Sequence, residues 1–141
     1  MRTDRARPQP LQPDSAATVT LRMMVRVPKD LVAVRVAMAN QLRAHLQTTL
    51  PGAVGLFRDI DNPISLRFLT RFASQDKADW LSVTRLENWL RAAGYPNPGR
   101  AAVLHAHLAA ATRGTVGLDG AARAAITLAL VAALTALTNS N

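Results

Sequence analysis

Three histidines are the residues best suited to metal or acid–base chemistry: His45, His105 and His107. Residues two apart on a helix lie about 200° apart around its axis, so His105 and His107 cannot bind one metal ion together. The chain has no cysteine, and no acidic residue stands close to this pair in the sequence. The lack of cysteine excludes disulfides and thiolate zinc sites and is compatible with a reducing cytoplasm.

The carboxylates and serines form no recognisable catalytic pattern. Residues 59–62 (DIDN) begin like a calcium-binding loop, but Pro63 follows, and the turn glycine and closing glutamate of such a loop are missing. The serines lack a glycine-flanked nucleophile turn, and there is no glycine-rich phosphate loop. We therefore predict no catalytic residue, no metal ligand, no cofactor and no small-molecule substrate for this chain.

Cationic side chains offer a different chemistry. The chain has 17 Lys and Arg against 9 Asp and Glu, a net charge of +8. Arginine binds phosphate through paired hydrogen bonds, so this excess favours nucleic acid as a partner, although a GC-rich coding sequence would also enrich arginine. A basic arm and one helix face would follow a phosphate backbone, the alternative being a solvated basic face; the residues are Arg2, Arg5, Arg7, Arg22, Arg26, Lys29 and Arg43.

A second candidate interface follows the sequence Trp80-Leu81-Ser82. Together with residues 84–93 it has the outline of a helix-turn-helix, in which Arg85, Asn88 and Arg91 would contact bases. Any two short helices joined by a tight turn share this outline. Base reading therefore stands as the alternative to backbone binding.

The basic face belongs to the longest helical pattern in the chain, which runs from Arg22 to Gly52. Pro51-Gly52 ends it, because Pro disfavours helical geometry in the preceding residue. The interior Pro28 predicts a kink or a new helix start. One side of this helix is an apolar seam that must pack on a partner; its main residues are Met24, Leu31, Val34, Met38, Leu42 and Leu46.

The remaining segments also read as helices, because apolar alternation never persists and caps bound each run. Asn62-Pro63 starts one helix, Thr84-x-x-Glu87 has capping-box spacing, and Asn97-Pro98 starts another. Residues 1–14 form an extended basic arm, 63–113 a cap of short helices, and 120–138 a final helix that begins after Asp119. We predict an all-α fold with two long helices paired at the chain ends and short helices between them.

The final helix is apolar almost all round, and its apolar stretch TLALVAALTAL is too short to span about 30 Å of hydrocarbon. We therefore predict a buried helix and no membrane partner.

Five segments, taken in order, resemble one protein family. They are RTDRARPQPLQPDSAATVTLRMMVR, KDLVAVRVAMANQLRAHLQTTLPGAVGLF, DIDNPISLRFLTRF, DKADWLSVTRLENWLRAAGY and GAARAAITLALVAALTALT. They resemble the middle of the DEDD transposases of the insertion-sequence 110 type, the Piv-like recombinases. The similarity covers essentially the whole chain, and residues 40–57 (NQLRAHL…PGAVGLF) are its most specific part.

The resemblance implies that catalysis and nucleic-acid binding belong to different domains. In that family an N-terminal RuvC-like domain carries four acidic metal ligands, a C-terminal domain carries a catalytic serine, and coiled-coil helices between them self-associate and contact nucleic acid, including a structured guide RNA. Residues 1–14 would then be the end of the RuvC-like domain and 15–141 the coiled-coil region. The acidic ligands and the serine would have no counterpart here, so any divalent metal would belong to the missing domain. Pro28 departs from the family's helix-compatible pattern.

Three functions follow as hypotheses. The first is a transposase fragment, inactive alone, that self-associates through the apolar seam and binds DNA or guide RNA, in a bacterial cytoplasm near the nucleoid. The second is a small helix-turn-helix DNA-binding regulator. The third is a structural module whose charge serves solubility only.

Overall fold

The structure is a computed structural model that describes the backbone of residues 27–139 and the side chains from Asp30 onward. This range has six α-helices, two 3₁₀ turns and no strand, which confirms the predicted all-α class with a long helix at each end. The chain divides into two compact units, residues 1–36 and 37–141, and the division falls inside the first helix. The helices are α1 (Val27–Thr49), α2 (Pro63–Arg71), α3 (Gln75–Asp79), α4 (Val83–Ala92), α5 (Ala101–Ala110) and α6 (Gly117–Asn139).

The described part of the first unit is the N-terminal portion of α1. Pro28 lies in its first turn, where the missing N–H removes no intrahelical hydrogen bond. Three valines on this portion, Val32, Val34 and Val36, are about half exposed. The predicted extended arm and the helical stretch before Val27 lie outside the described residues.

In the second unit, the core starts on the C-terminal half of α1. Leu42, Leu46 and Leu50 recur at helical spacing and are fully buried. The helix ends at Thr49, before the Pro51–Ala53 3₁₀ turn, as the Pro-Gly sequence predicts. That turn lies against α5, so this end of α1 joins the short helices in one core.

An aromatic cluster connects the short helices. Trp89 of α4 meets Phe68 of α2, and Phe72 directly after that helix, edge-on, at ring-centroid distances of 5.5 and 5.8 Å. Phe57, from the loop before α2, meets Phe68 at 5.5 Å and Tyr95 at 5.8 Å. Edge-to-face pairs each add about 0.5–1.5 kcal/mol beyond the burial of their apolar area. The region predicted as a cap therefore holds much of the core itself.

Two helix starts test the capping predictions directly. Asn62 caps α2 as predicted, because its side chain accepts a hydrogen bond from the backbone N–H two residues on. The predicted capping box at Thr84 is wrong. Ser82 caps α4 instead, accepting from the Arg85 N–H at 3.1 Å, which places Thr84 inside the helix. Both hydroxyls suit an N-cap, and the earlier one takes the position.

The two later helix starts also differ from prediction. Asn97 makes no capping bond, and Pro98–Arg100 form a 3₁₀ turn before α5 begins. The final helix begins at Gly117, three residues before the predicted start, so Asp119 lies in its first turn. Its cap comes from another helix, since the Gly117 N–H donates to a carboxylate oxygen of Asp76 on α3 at 2.9 Å.

Helix α6 is buried along a single stripe. The stripe has the alternating four- and three-residue spacing of a coiled-coil seam, and it packs most extensively on α2. The two long helices also meet and run antiparallel where they do, because His45 of α1 contacts Thr127 and Thr48 contacts Arg123. The buried residues of the stripe are Gly120, Ala124, Thr127, Val131 and Leu134.

The opposite side of α6 is exposed and uncharged. Leu118, Ile126 and Leu128 are exposed there among alanines. Among the described residues, α6 is the one helix that is long and apolar enough to cross a membrane by length and composition, and 33% of that stretch is buried within the chain. The predicted burial therefore applies to one face only.

Polar contacts attach the segment before α6 to α3. The Gly114 N–H donates to the side-chain oxygen of Gln75 at 2.7 Å, and Arg113 donates to both carboxylate oxygens of Asp79. Gly114 also lies directly on the end of α1, where a Cβ would stand 2.0 Å from the Thr49 carbonyl oxygen. Only glycine fits at this approach.

Candidate nucleic-acid interface

Trp80 presents a half-exposed indole ring in the turn between α3 and α4. The turn is short because Trp80 ends α3 as its C-cap and Ser82, two residues later, already caps α4 by accepting the Arg85 N–H. Leu81 is buried and anchors the turn, which directs the neighbouring Trp80 outward with 51% of its surface exposed. The Trp80 ring is thereby held at the surface between the end of α3 and the start of α4.

Two guanidinium groups flank this ring. Arg85, in the first turn of α4, lies over the Trp80 ring with its central carbon 4.4 Å from the ring centroid. It also donates a hydrogen bond to the Trp80 carbonyl oxygen at 2.7 Å. Arg71, at the end of α2, lies 6.0 Å from the same centroid and 5.1 Å from that of Phe72. We call Arg71, Trp80 and Arg85 the tryptophan cluster.

The positive charges of this cluster have no carboxylate partner within residues 30–139. Elsewhere in that range arginines do pair with acids: Arg91 with Glu87 at 2.9 Å, and Arg113 with Asp79. Arg71 and Arg85 are exposed and are positioned by aromatic rings instead. A cation–π contact orients a guanidinium and leaves its charge available to an anion.

The cluster combines the two features that bind nucleotides. An exposed indole and a guanidinium plane each accept a stacked base. Guanidinium N–H groups bind phosphate oxygens through short, charge-assisted hydrogen bonds. Arg85 uses one of its five N–H donors on the Trp80 carbonyl, so it retains donors for an anion.

The three predicted base-reading residues are all exposed on α4. Arg85 is turned back onto Trp80, and Arg91 forms an ion pair with Glu87 one turn away. Asn88 lies between them on the helix surface. Helix α3 preceding the turn has five residues. Through Arg85, the first turn of α4 is part of the tryptophan cluster. Base reading by α4 stays a prediction.

Most of the residues predicted to bind a nucleic-acid backbone lie outside the described part of the chain. These are Arg2, Arg5, Arg7, Arg22 and Arg26, while Lys29 is described only as backbone within α1. Arg43 is half-buried on α1 and donates to the side-chain oxygen of Asn40 at 2.8 Å. Arg43 is the one member of this set whose side chain is described, and its described hydrogen bond is to Asn40 and not to the tryptophan cluster, so the role of the set stays a prediction.

The predicted self-association seam is divided along α1. Leu42 and Leu46 are fully buried in the chain's own core, so a second copy would reach them only if that core opened. Met38 is partly buried against the same core. In the first unit, Leu31 is half-buried and Val34 is 45% exposed, and Met24 lies outside the described residues.

The histidines are engaged with other groups. His105 and His107 point to different partners, with each Nε2 lying 3.0 Å from a backbone carbonyl oxygen, of Leu81 and Val54 respectively. His45 lies 2.9 Å from the Thr127 hydroxyl and 3.1 Å from the Arg123 carbonyl oxygen. Within the described residues, no three His, Cys, Asp or Glu side chains come close enough to hold a metal ion.

Sequence reasoning noticed the turn at Trp80 but gave the ring no role, and it did not single out Arg71. One signal was available: a tryptophan beside a serine helix cap, with an arginine three residues into the helix, predicts a ring at the surface. Arg71 could not be found in this way. It reaches the ring through the fold, in which aromatic rings at the end of α2 contact Trp89 of α4.

Comparison of the chain with protein-family models, with curated proteins and with solved structures found no match.

Proposed function

We propose that this chain is a nucleic-acid-binding and self-associating helical region of an insertion-sequence transposase, without catalytic residues of its own. The observation that supports nucleic-acid binding is the tryptophan cluster, in which two guanidinium groups without a carboxylate partner among residues 30–139 lie beside an exposed indole. The net charge of +8 supports the same partner. The transposase assignment rests on the resemblance in sequence. The proposed cytoplasmic location near the nucleoid, and the proposed ligand, a structured guide RNA or DNA, rest on the same resemblance.

A salt series tests binding. Fluorescence anisotropy with labelled DNA and RNA, from low to high salt, measures the slope of log K against log salt, which is about −0.7 to −0.9 per neutralised phosphate. Two double variants, Arg22→Ala with Arg26→Ala and Arg71→Ala with Arg85→Ala, should each weaken binding and reduce the slope by about one to two. Absence of binding at low salt, or affinity unchanged in both variants, contradicts the proposal.

The alternative is a helix-turn-helix regulator. The observation that favours it is the exposure of Arg85, Asn88 and Arg91 on α4, directly after the α3 turn. A regulator requires preference for one duplex sequence, where each mismatched base pair costs about 1–3 kcal/mol. Selection from a random duplex pool separates the two functions, because backbone binding enriches no motif.

A further inference from the structure

The tryptophan cluster places two guanidinium groups and an exposed aromatic ring together on the surface. Trp80 is 51% exposed although a buried position would stabilise it more, and its ring is already stacked with the Arg85 guanidinium at 4.4 Å. Arg71 lies over the Phe72 ring, which in turn contacts the Trp89 ring. Arg85 is therefore held at the Trp80 ring by two contacts, the ring itself and the Trp80 carbonyl, without a ligand.

We infer that the tryptophan cluster binds unpaired nucleotides, with a base stacked against the exposed surface of the Trp80–Arg85 pair and flanking phosphates on Arg71 and Arg85. This inference rests on the proposed function and specifies its ligand as single-stranded DNA or RNA. A paired base inside a duplex already has both faces covered by its neighbours, so it cannot stack on a protein ring without leaving the helix. Duplex binding would use the phosphate contacts alone.

Charge distribution agrees with this ligand. No carboxylate among residues 30–139 neutralises Arg71 or Arg85, whereas Arg91 and Arg113 are neutralised. The N-terminus of α4 also faces the turn, and its partial positive charge adds to the attraction for a phosphate. An acidic peptide would share the charge attraction but would place no flat ring on the indole, so peptide and nucleotide differ in their need for Trp80.

The experiment uses the full chain and oligonucleotides of about 12 nucleotides, within the range of site sizes known for single-strand binders. Oligothymidylate and oligouridylate form the two single-stranded arms, a mixed duplex of equal length forms the third, and polyglutamate forms the fourth. We expect Trp80→Ala to weaken binding of both single strands by about 5- to 150-fold, because stacking on an aromatic ring contributes that much per base. Duplex affinity should change less than about twofold.

Matched variants separate stacking from charge. Trp80→Phe should retain most of the single-strand affinity, since a smaller ring still stacks. Arg85→Ala and Lys77→Ala each remove one exposed positive charge within eight residues of one another, but only Arg85 contacts the ring. We expect a larger loss of single-strand affinity for Arg85→Ala than for Lys77→Ala, and a smaller difference between the two variants on duplex, where Arg85 contributes a phosphate contact but no stacking. Equal losses of single-strand affinity in Arg85→Ala and Lys77→Ala would show that the cluster contributes only general electrostatic attraction, and would overturn the inference.

Tryptophan fluorescence gives an independent readout. A Trp89→Phe background leaves Trp80 as the single tryptophan, which can be excited selectively over Tyr95, and keeps an aromatic ring against Phe68 and Phe72. Its emission should be quenched by single strands and unchanged by duplex or polyglutamate. A single strand that binds without quenching, or polyglutamate that binds as tightly as oligothymidylate, overturns the inference.

Failures of the two proposals are distinguishable. If the chain binds duplex and single strands equally and Trp80→Ala changes neither, the inference fails and the proposed function stands. If no nucleic acid binds at low salt, both fail. Equal affinity for oligothymidylate and oligouridylate supports recognition of base and phosphate, and a preference for the ribose form adds a contact to the 2′-hydroxyl.

Discussion

Gly114 shows how one residue without a side chain permits the connection between α5 and α6. Its Cα lies so close to the end of α1 that a Cβ would stand 2.0 Å from the Thr49 carbonyl oxygen and 2.9 Å from the Leu50 nitrogen. Both atoms are backbone of a helix end and cannot rotate away. The neighbouring Thr115 is bound to the same helix end, because its N–H donates to the Thr48 carbonyl at 3.1 Å.

We expect Gly114→Ala to lower the free energy of unfolding by about 3 kcal/mol, at the upper end of the usual cost of overpacking. Gly99→Ala is the matched control, since its Cβ would meet only the flexible side-chain oxygen of Asn97 at 3.3 Å. That change should alter stability by less than about 1 kcal/mol. Urea denaturation followed by circular dichroism measures both, and equal effects would show that the close approach does not persist in solution.

The ion pair between Asp79 and Arg113 makes part of the stability depend on pH. Hydrogen bonding from Arg113 lowers the pKa of the Asp79 carboxyl below its ordinary value of 3.8, partial desolvation opposes this, and a hydrogen bond from Gln75 at 2.8 Å adds to it. Because the folded-state pKa is the lower one, the unfolded chain binds the proton more readily. The contribution is therefore complete above the unfolded value and is lost as pH falls through the folded value.

We expect Asp79→Asn to lower the melting temperature by a few degrees at pH 7, a small effect because exposed ion pairs contribute little to stability. The effect should be smaller at pH 3, where the Asp79 carboxylate begins to be protonated. Arg113→Ala and the double variant complete a thermodynamic cycle. Their coupling should be present at pH 7 and decline below pH 4. A coupling that does not change between these pH values would show that Asp79 is not ionised against Arg113.

At the scale of helices, the contact between α1 and α6 includes a buried polar group. Thr127 is fully buried on α6, and its hydroxyl lies 2.9 Å from His45 Nε2 of α1. Thr49, also fully buried, lies 3.4 Å from the same nitrogen. Removing the Thr127 hydroxyl leaves the histidine with poorer partners in a place that water reaches with difficulty.

We expect Thr127→Val to lower the free energy of unfolding by about 1–2 kcal/mol, the cost of leaving a buried polar group poorly bonded. Thr135→Val is the control on the same helix, because its exposed hydroxyl donates only to the Val131 carbonyl at 2.8 Å. It should change stability by less than about 0.5 kcal/mol. Equal costs would indicate that the two long helices are not joined through His45.

Local signals in the sequence determine some of these elements and not others. Asn62-Pro63 predicts the start of α2 correctly, because an Asn side chain and a Pro ring satisfy the helix start without help from elsewhere. Gly117 could not be predicted as a helix start, since its cap is Asp76, 41 residues earlier in the chain. Similarly, the tryptophan cluster depends on Arg71, which only the packing of α2 on α4 brings to Trp80.

For the whole molecule, composition predicts the class and the sign of the charge but not which faces remain open. Periodicity assigns Leu42, Leu46 and Val34 to one seam, yet the first two are buried and Val34 is 45% exposed. A helix that is apolar almost all round gives no information on which side is covered. Only the packing of α6 on α2 and α1 identifies its open side, which is a second candidate surface for self-association besides the predicted seam on α1.

The open side of α6 centres on Ala129, with Ile126 and Leu128 at its edges, 52% and 38% exposed. Contiguous apolar patches on a protein surface are a common feature of interaction sites, with protein or with membrane. We expect the wild-type chain to self-associate reversibly, so that sedimentation velocity shows a larger species as concentration rises and the melting temperature rises with it. Ala129→Glu would bury an unpaired carboxylate in that interface and should weaken association at least about tenfold.

Ala109→Glu is the matched control, because it places the same charge on an exposed alanine of α5, away from the open side of α6. It should leave association unchanged. If Ala129→Glu does not weaken association, or if both variants weaken it equally, the contact between copies does not lie on the open side of α6. A wild-type chain that stays monomeric would refute self-association. Sedimentation with lipid vesicles separates the remaining case, since binding to them that Ala129→Glu abolishes would assign the open side of α6 to a membrane and not to a second copy.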